Sequence, residues 1–376
     1  MEKSLKHLHI VSFNIPYPAN YGGVIDVFYK IKALHSIGIK IHLHCYEYGR
    51  LHSDELKKYC HSVHYYRRYK GLRYFFSKKP YIVNTRSNKK LLNILTKDTY
   101  PILFEGLHST FFINNDKLKN RNKIVRTHNI EHEYYKNLSE IEENYLNKFF
   151  FKSEAKKLLK YELILKKAKT IAAISNNDFI YFNKKYSNTE LLPAFHPYDK
   201  VDIKKGKGHY VLYHGNLSVG ENVIAALFLI NNVFKELEIP LIIAGKNPNK
   251  HIIDAVLNNK NNIEIISNPD NAKMNELIQN AQINILPTFQ GTGIKLKLLA
   301  SLFTGRHCIT NLTMVENTGL ENLCSVKNTA QEMSEEINRL FNVEFDEKEL
   351  NKREKILLKD FCNIENAKML NRLLTD

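Results

Sequence analysis

The chain has 376 residues, 43% hydrophobic and 25% charged, which excludes wholesale disorder and suggests two domains. Its 15 glycines and 10 prolines are too few for a collagen-like or linker-like chain. The unusual feature is a formal charge of +16, and it is lopsided: residues 1–190 hold 34 basic and 17 acidic residues, whereas 191–376 hold 21 and 22. A basic half beside a neutral half points to a polyanionic partner, either nucleic acid or an anionic membrane face. Cys45, Cys60, Cys308, Cys324 and Cys362 are odd in number and contain no C-x-x-C pair, so neither a disulfide framework nor a zinc ribbon is expected. The first residues run into a strand without a signal-peptide core, and no 18-residue window is apolar and uncharged. A cytosolic protein, at most peripheral to a membrane, is the expectation.

In chain order the pattern alternates strand and helix. Residues 8–13 read as a buried strand, followed by a Pro-, Tyr- and Gly-containing loop. Val24, Val27, Phe28, Ile31 and Leu34 recur at helical spacing up to Gly38, and 39–46 alternates as a second strand. That is a βαβ unit, which implies a parallel sheet with right-handed crossovers. Further strands are expected at 101–104, 123–127 and 170–175, a long Lys-rich helix at 141–168 and a helix at 177–184. Pro193 and Pro197 break the pattern, and the alternation restarts: strand 210–213, helix 222–234, strand 240–244, strand 262–266, helix 272–280, strand 283–286, a helix from Gly291 to Gly305, strand 307–310, and a helical tail over 346–374. The reading is α/β: two Rossmann-like domains with parallel sheets facing across a cleft. The boundaries are 1–192, 193–345 and a tail, 346–376, that packs back towards the N-terminal domain. Ligands of such sheets bind beyond the carboxyl ends of the strands.

Five segments carry chemistry. Gly22-Gly23 opens the first helix, where backbone N–H groups approach a ligand closely. His128 ends a strand within Arg126-Thr127-His128-Asn129-Ile130-Glu131-His132-Glu133-Tyr134-Tyr135. There His128-x-x-Glu131-His132 matches an inverted zinc-protease pattern, but the pair straddles a strand–loop junction. A hydrogen-bonding histidine therefore fits better than a metal ligand. Tyr213-His214-Gly215-Asn216 is a second strand-end turn. Gly291-Thr292-Gly293 leads into a helix with Lys295 and Lys297 in its first turn. Cations are unfavourable there, so two of them argue for a nearby anion such as a phosphate. Residues 57–97 hold 12 Lys or Arg and no acid, interleaved with Tyr59, Tyr65, Tyr66, Tyr69, Tyr74, Phe75, Phe76 and Tyr81. Arg67, Arg68, Lys70, Arg73, Lys78, Lys79, Lys89 and Lys90 of this segment suit anionic headgroups, the alternative being a solvated face with its rings packed inward.

With these motifs in place, the chain resembles a family 4 retaining glycosyltransferase of the GT-B fold, in the bacterial branch that builds surface polysaccharides. The resemblance rests on Pro16-Tyr17-Pro18-Ala19-Asn20-Tyr21-Gly22-Gly23, the 126–135 segment, residues 213–218 and residues 291–299. It implies a nucleotide-sugar donor held by the C-terminal domain through Gly215, Asn216, Gly291, Thr292, Gly293, Lys295 and Lys297, with Gly22 and Gly23 near the donor phosphates. It implies His128 as the catalytic contact to the transferred sugar, and a glycan or lipid-linked acceptor at the N-terminal domain. No cofactor and no metal are implied, because protein cations stabilise the leaving diphosphate. The place implied is the inner face of the cytoplasmic membrane, with no nucleic acid partner. Two departures stand out. The family's paired glutamates fall on Thr292 and Ala300, and its usual Arg and Lys fall on Asn216 and Glu221. A degenerate GT-B protein that serves an active partner is the alternative.

Overall fold

The computed structural model describes residues 7–142, 144–259, 262–289 and 296–375. They form two compact units, residues 7–197 with 361–375, and residues 198–289 with 296–360.

The first unit is built on a seven-stranded sheet: β1 His7–Ser12, β2 Lys40–Glu47, β3 Ser62–Arg67, β4 Ile102–Glu105, β5 Lys123–Thr127, β6 Thr170–Ala173 and β7 Thr189–Leu191. Its order is β3-β2-β1-β4-β5-β6-β7, and every pairing is parallel. The second unit holds β8 Val211–Asn216, β9 Leu241–Lys246, β10 Ile263–Ser267, β11 Ile283–Leu286, β12 His307–Thr310 and β13 Ser325–Val326 in the order β10-β9-β8-β11-β12-β13, also all parallel. Both orders reverse beside the unit's first strand, which is the doubly wound pattern of a Rossmann-like domain. The central strands are short apolar runs because both faces are covered: β4, β5 and β6 are buried throughout.

The helix expected over 141–168 is shorter, Tyr145–Tyr161, and is followed by a 3₁₀ turn Glu162–Lys167; a separate helix, Glu131–Ile141, precedes it. Asn144 starts the helix Tyr145–Tyr161 by accepting hydrogen bonds from the N–H groups of Leu146 and Asn147 at 2.9 and 3.2 Å. Residues 346–376 likewise do not form one tail. The helix Glu347–Asp360 belongs to the second unit and the helix Asn363–Thr375 to the first. In the first unit, Ala367, Leu370 and Leu374 join the core that contains Val27, Phe28, Ile31 and Leu34. Asn363 and His196 exchange two backbone-to-amide bonds of 3.1 and 2.7 Å, which fix the chain where it leaves the unit. In the second unit, the buried Arg353 guanidinium donates to the carbonyls of Leu302, Gly305 and Arg306, closing the C-terminal end of the helix Leu296–Thr304.

The strands β1, β2 and β3, at one side of this sheet, carry an unusual feature, a ladder of histidines. Parallel register sets His9 beside His42 and His44 beside His64. His7 Nδ1 lies 2.9 Å from His42 Nε2, His9 Nδ1 lies 2.8 Å from His44 Nε2, and His44 Nδ1 lies 2.7 Å from the Tyr66 hydroxyl. His61 meets His42 edge-on and His64 stacks on His44. Among the described residues the acid bonded to the ladder is Asp98, 3.0 Å from His9 and shared with Arg121. Burial, then the neighbouring His9, pushes His42 down to about 4, and burial holds His44 well below its ordinary value. His42 and His44 are therefore neutral when folded near neutral pH. Their contribution to stability is complete above the unfolded value near 6.5 and is lost as pH falls towards 4. The denaturation midpoint should fall between about pH 7 and pH 5; a midpoint flat across that interval would show that the ladder accepts protons without cost.

Candidate functional site

At the carboxyl ends of β4 and β5 lies a wholly buried charge network. Lys30, on the first helix Gly22–Ser36, donates to Asp26 one turn earlier at 2.8 Å and to both oxygens of Glu105, the last residue of β4, at 2.7 and 3.0 Å. Arg126 of β5 donates to Asp26 Oδ1 at 3.0 Å and to the carbonyls of Ala173, Leu192 and Pro193. Asp26 also accepts the Phe195 N–H at 2.8 Å. Two cations thus balance two carboxylates. Burial pushes the Asp26 carboxyl up, but Arg126 and Lys30 outweigh it and hold Asp26 below the usual carboxylate range. Lys30 and His128 do the same for Glu105.

His128, one residue beyond β5, places Nε2 2.9 Å from Glu105 Oε2. An ionised carboxylate only accepts, so Nε2 carries the proton and Nδ1 is left as an acceptor. That Nδ1 is buried with no protein partner. Asp26, Glu105 and His128 place one potential ligand atom each within 4.8 Å of one another. The Lys30 ammonium already bonds both carboxylates, so a second cation would face it at close range, and these residues do not fit a metal. The inverted zinc-protease pattern also dissolves. His132 lies on the helix Glu131–Ile141 rather than in a loop, and it pairs with Glu162 at 3.2 Å, away from Glu105.

Around His128 stand groups that sequence reasoning missed. The Phe13 ring centre is 5.4 Å from that of His128 and 5.5 Å from that of His108. Gly23 packs at the tip of the same ring, where a Cβ would fall 2.7 Å from Phe13 Cζ. Gly23 and His128 therefore share Phe13 as a neighbour, and no side chain caps the helix that Gly22 begins. His108 Nδ1 is 3.6 Å from Glu131 Oε1, beyond hydrogen-bonding range, and both atoms are buried without a partner. Burial, with Asp178 adding to it, pushes the Glu131 carboxyl up to about 8, and burial drives His108 well down. Near neutral pH this is an uncharged set of hydrogen-bonding groups, suited to hydroxyls rather than to phosphates. Only the Glu131 position was legible, through the 126–135 motif.

In the second unit, Lys297 lies in the first turn of the helix Leu296–Thr304 and donates to Asn222 Oδ1 at 3.0 Å. Asn222 also donates to the Asn216 carbonyl at 3.0 Å and packs 3.1 Å from where a Gly215 Cβ would stand. Gly215, Asn216 and Lys297 are thus one cluster at the end of β8. Gly245 has no alternative there, because a Cβ would sit 1.8 Å from the Gly215 carbonyl oxygen. His214 Nε2 is 3.1 Å from Ser301 Oγ, and burial, then Lys297, brings His214 down to about 3. Glu221, at the usual Lys position, accepts a hydrogen bond from Thr288. Ala300 packs in an apolar cluster with Leu212, Ala244 and Leu277. Gly291, Thr292, Gly293 and Lys295 lie outside the described residues.

Residues 57–97 contain β3 and three short helices. Arg67, Lys70, Arg73, Lys78, Lys79, Lys89 and Lys90 are exposed, whereas Arg68 is half-buried, bonded to Thr85 and stacked 4.2 Å over Tyr48. Lys57 and Lys58 pair with Asp54 and Glu55 just before the segment. Of its eight expected aromatics only Phe76 is exposed, because the others pack inward.

Lys30→Met should cost about 3–5 kcal/mol in chemical denaturation, because it leaves two buried carboxylates short of a cation. A loss below about 1 kcal/mol would show that the network is dispensable. Glu131→Gln tests the raised carboxyl. Stability tied to Glu131 is complete below its unfolded value near 4.5 and is lost as pH rises through about 8. The variant should therefore gain on wild type from pH 5 to about pH 9, and equal slopes would contradict it.

Comparison with known proteins agrees with this architecture. Residues 208–342 match the family model described as glycosyl transferases group 1. A Klebsiella pneumoniae protein named only as an uncharacterized 44.6 kDa protein in the cps region is 27% identical over 336 residues, covering 82% of this chain and 84% of the relative. Among solved structures, the chain is similar to S. aureus TarM in complex with fondaparinux, alpha-GlcNAc-glycerol and UDP (TM-score 0.66, 11% identity, 99% and 100% of the two chains). It is also similar to WaaG, a glycosyltransferase involved in lipopolysaccharide biosynthesis (TM-score 0.65, 11% identity, 98% and 99%). The family match over the second unit and the two Rossmann-like sheets support a glycosyltransferase of the GT-B type.

Proposed function

We propose that the chain is a retaining glycosyltransferase that moves a sugar from a nucleotide-sugar to a glycan or lipid-linked acceptor in bacterial surface-polysaccharide synthesis. The observation that carries this is the family match over residues 208–342, the stretch that holds Gly215, Asn216 and Lys297 in one cluster. The cps-region relative and the UDP in the TarM complex are consistent with the pathway and the donor class. The chain would act in the cytoplasm, peripheral to the membrane. Among the described residues no helix is long and apolar enough to cross a bilayer.

In this reading Lys297 and the backbone N–H groups at the start of its helix hold the donor diphosphate, in the role that a metal takes elsewhere. The bond from the sugar anomeric carbon to the diphosphate breaks, and the acceptor hydroxyl oxygen bonds to the same carbon on the same face. The hydroxyl proton leaves with a diphosphate oxygen. His128, fixed through Glu105, accepts a hydrogen bond at Nδ1 from a hydroxyl of the transferred sugar and holds the ring in place. Gly22 and Gly23 let the backbone approach the same sugar and its phosphate.

Ala300 favours the second reading, a non-catalytic subunit. The family's ribose-binding carboxylate is replaced by a methyl group inside an apolar cluster, so the donor must be held by other groups.

A thermal-shift panel of nucleotide-sugars separates the two readings, since a bound donor raises the melting temperature and an empty subunit shows no shift with any of them. With the donor identified, Lys297→Ala should weaken its binding by roughly tenfold to a hundredfold. His128→Ala should lower turnover by about a hundredfold or more with the fold intact by circular dichroism. Wild-type turnover in the histidine variant would remove His128 from the site. An inverted anomeric configuration in the product, read by NMR, would refute retention.

A further inference from the structure

We propose that the outward face of the helix Tyr145–Tyr161, continued through Leu163 and flanked by Leu72 and Phe76, is the surface by which this chain rests on an anionic lipid bilayer. The placement rests on the reading of a membrane-peripheral enzyme, and it moves the contact from the general basic segment 57–97 to one defined face.

Tyr145, Phe149, Lys152, Lys156, Leu159 and Leu163 recur at intervals of three and four, so they line one side of the helix and of the turn that follows it. The apolar members are open to solvent: Tyr145 is 88% exposed, Leu146 81%, Phe149 66%, Leu159 49% and Leu163 60%. A soluble helix normally turns its Leu and Phe inward and its charges outward. Here the inward side holds Leu158, Leu165 and the only two acids between 144 and 169, Glu154 and Glu162. Both acids are occupied within the protein. Glu154 accepts the Tyr81 N–H at 2.5 Å and a bond from Lys157 at 2.9 Å, and Glu162 accepts the Tyr181 hydroxyl at 3.0 Å and pairs with Lys185. Among the described residues of this element, the outer face carries lysines and large apolar side chains and no acid.

The short helix Leu72–Phe75 abuts this element. The Phe75 ring is 5.7 Å from Phe150, and Lys157 donates to the Phe75 carbonyl at 2.6 Å. It adds Leu72 and Phe76, 75% and 77% exposed, together with the exposed Arg73, Lys78 and Lys79. The 17-residue helix is roughly 25 Å long, so lying flat it can set several apolar side chains into the headgroup boundary while its lysines meet lipid phosphates. Charge complementarity selects an anionic surface. The aliphatic members select lipid over nucleic acid, because Leu72, Leu146, Leu159 and Leu163 offer no ring for a base to stack on.

The test is co-sedimentation of the full chain with phosphatidylcholine vesicles, with and without phosphatidylglycerol. Wild type should bind only the anionic vesicles, and less at high salt. Leu146→Glu with Phe149→Glu, both at exposed positions, should reduce binding by about tenfold or more. Lys152→Glu with Lys156→Glu should reduce it by roughly fivefold per lysine. Lys57→Glu with Lys58→Glu makes the same change in net charge on lysines already paired with acids, and should leave binding near wild type. Equal loss in both lysine pairs would overturn the placement, as would binding to neutral vesicles or no vesicle binding at all. Donor-induced thermal shifts in the same variants read the second unit separately. Vesicle binding without any donor shift would keep this surface and sink the enzymatic reading, and the reverse result would do the opposite.

Discussion

The first unit depends on one arrangement, the buried square of Asp26, Lys30, Glu105 and Arg126. It joins the first helix to β4 and β5, and through Arg126 and Asp26 it grips the backbone at Ala173, Leu192, Pro193 and Phe195, where the chain leaves the sheet. Removing charges from water is costly, so such a set survives only when it is balanced and fully hydrogen-bonded. Its use is positional. Glu105 is held by Lys30 in the one orientation that also accepts His128, so the imidazole is locked with its proton on Nε2 and its lone pair free on Nδ1. An apolar core could have been as stable, but it could not have fixed a tautomer.

How much of this the sequence shows follows from the range of the forces involved. The interior strands are legible because burial on both faces leaves short stretches with an apolar centre between turn residues: β5, β11 and β12 fall where the strand–helix alternation puts them. The edge strand β3, Ser62–Arg67, carries the polar sequence Ser-Val-His-Tyr-Tyr-Arg and is only half-covered, so no apolar run marks it. The helix Ala330–Phe341 escapes apolar-run reasoning too, although a Thr329–Glu332 capping box announces its start and could have been used. Glu105 could not be read at all. Its partners Lys30 and His128 are 75 and 23 residues away, and a lone Glu at a strand end has no local pattern. His128, Gly22 and Gly23 were accessible because each sits at a strand or helix end, and such positions are few.

The charge asymmetry also resolves into parts. Some of the basic residues of the first unit are structural: Lys30 and Arg126 neutralise buried acids, and Arg86 donates to the carbonyls of Phe13 and Ile82. Others are cancelled nearby, as Lys57 and Lys58 are by Asp54 and Glu55. What remains uncompensated lies in the acid-free segment 57–97, with Arg67, Lys70, Arg73, Lys78, Lys79, Lys89 and Lys90 exposed, and along the helix Tyr145–Tyr161, whose one acid is buried. A proteome-wide preference for lysine would raise the count but would not sort the acids to one side of a helix.

The chemistry of the two units differs in kind, and that difference constrains what each can bind. Beyond β8 the groups are a lysine, an asparagine amide and backbone approached closely at Gly215, which suits a charged and strongly hydrated group such as a diphosphate. Beyond β4 and β5, burial has removed charge from the exposed functionality. His108 is neutral, Glu131 is held protonated around neutral pH, and the ionic square behind them sums to zero. A diphosphate would gain little there, whereas hydroxyls can both donate to His128 Nδ1 and accept from a protonated Glu131. The orphaned polar atoms are a standing cost of desolvation in the free protein. A polyhydroxylated ligand recovers that cost on binding, and an analogue lacking the matching hydroxyl does not; under the proposed function, selectivity for the sugar would then come from the first unit and general affinity for the nucleotide from the second.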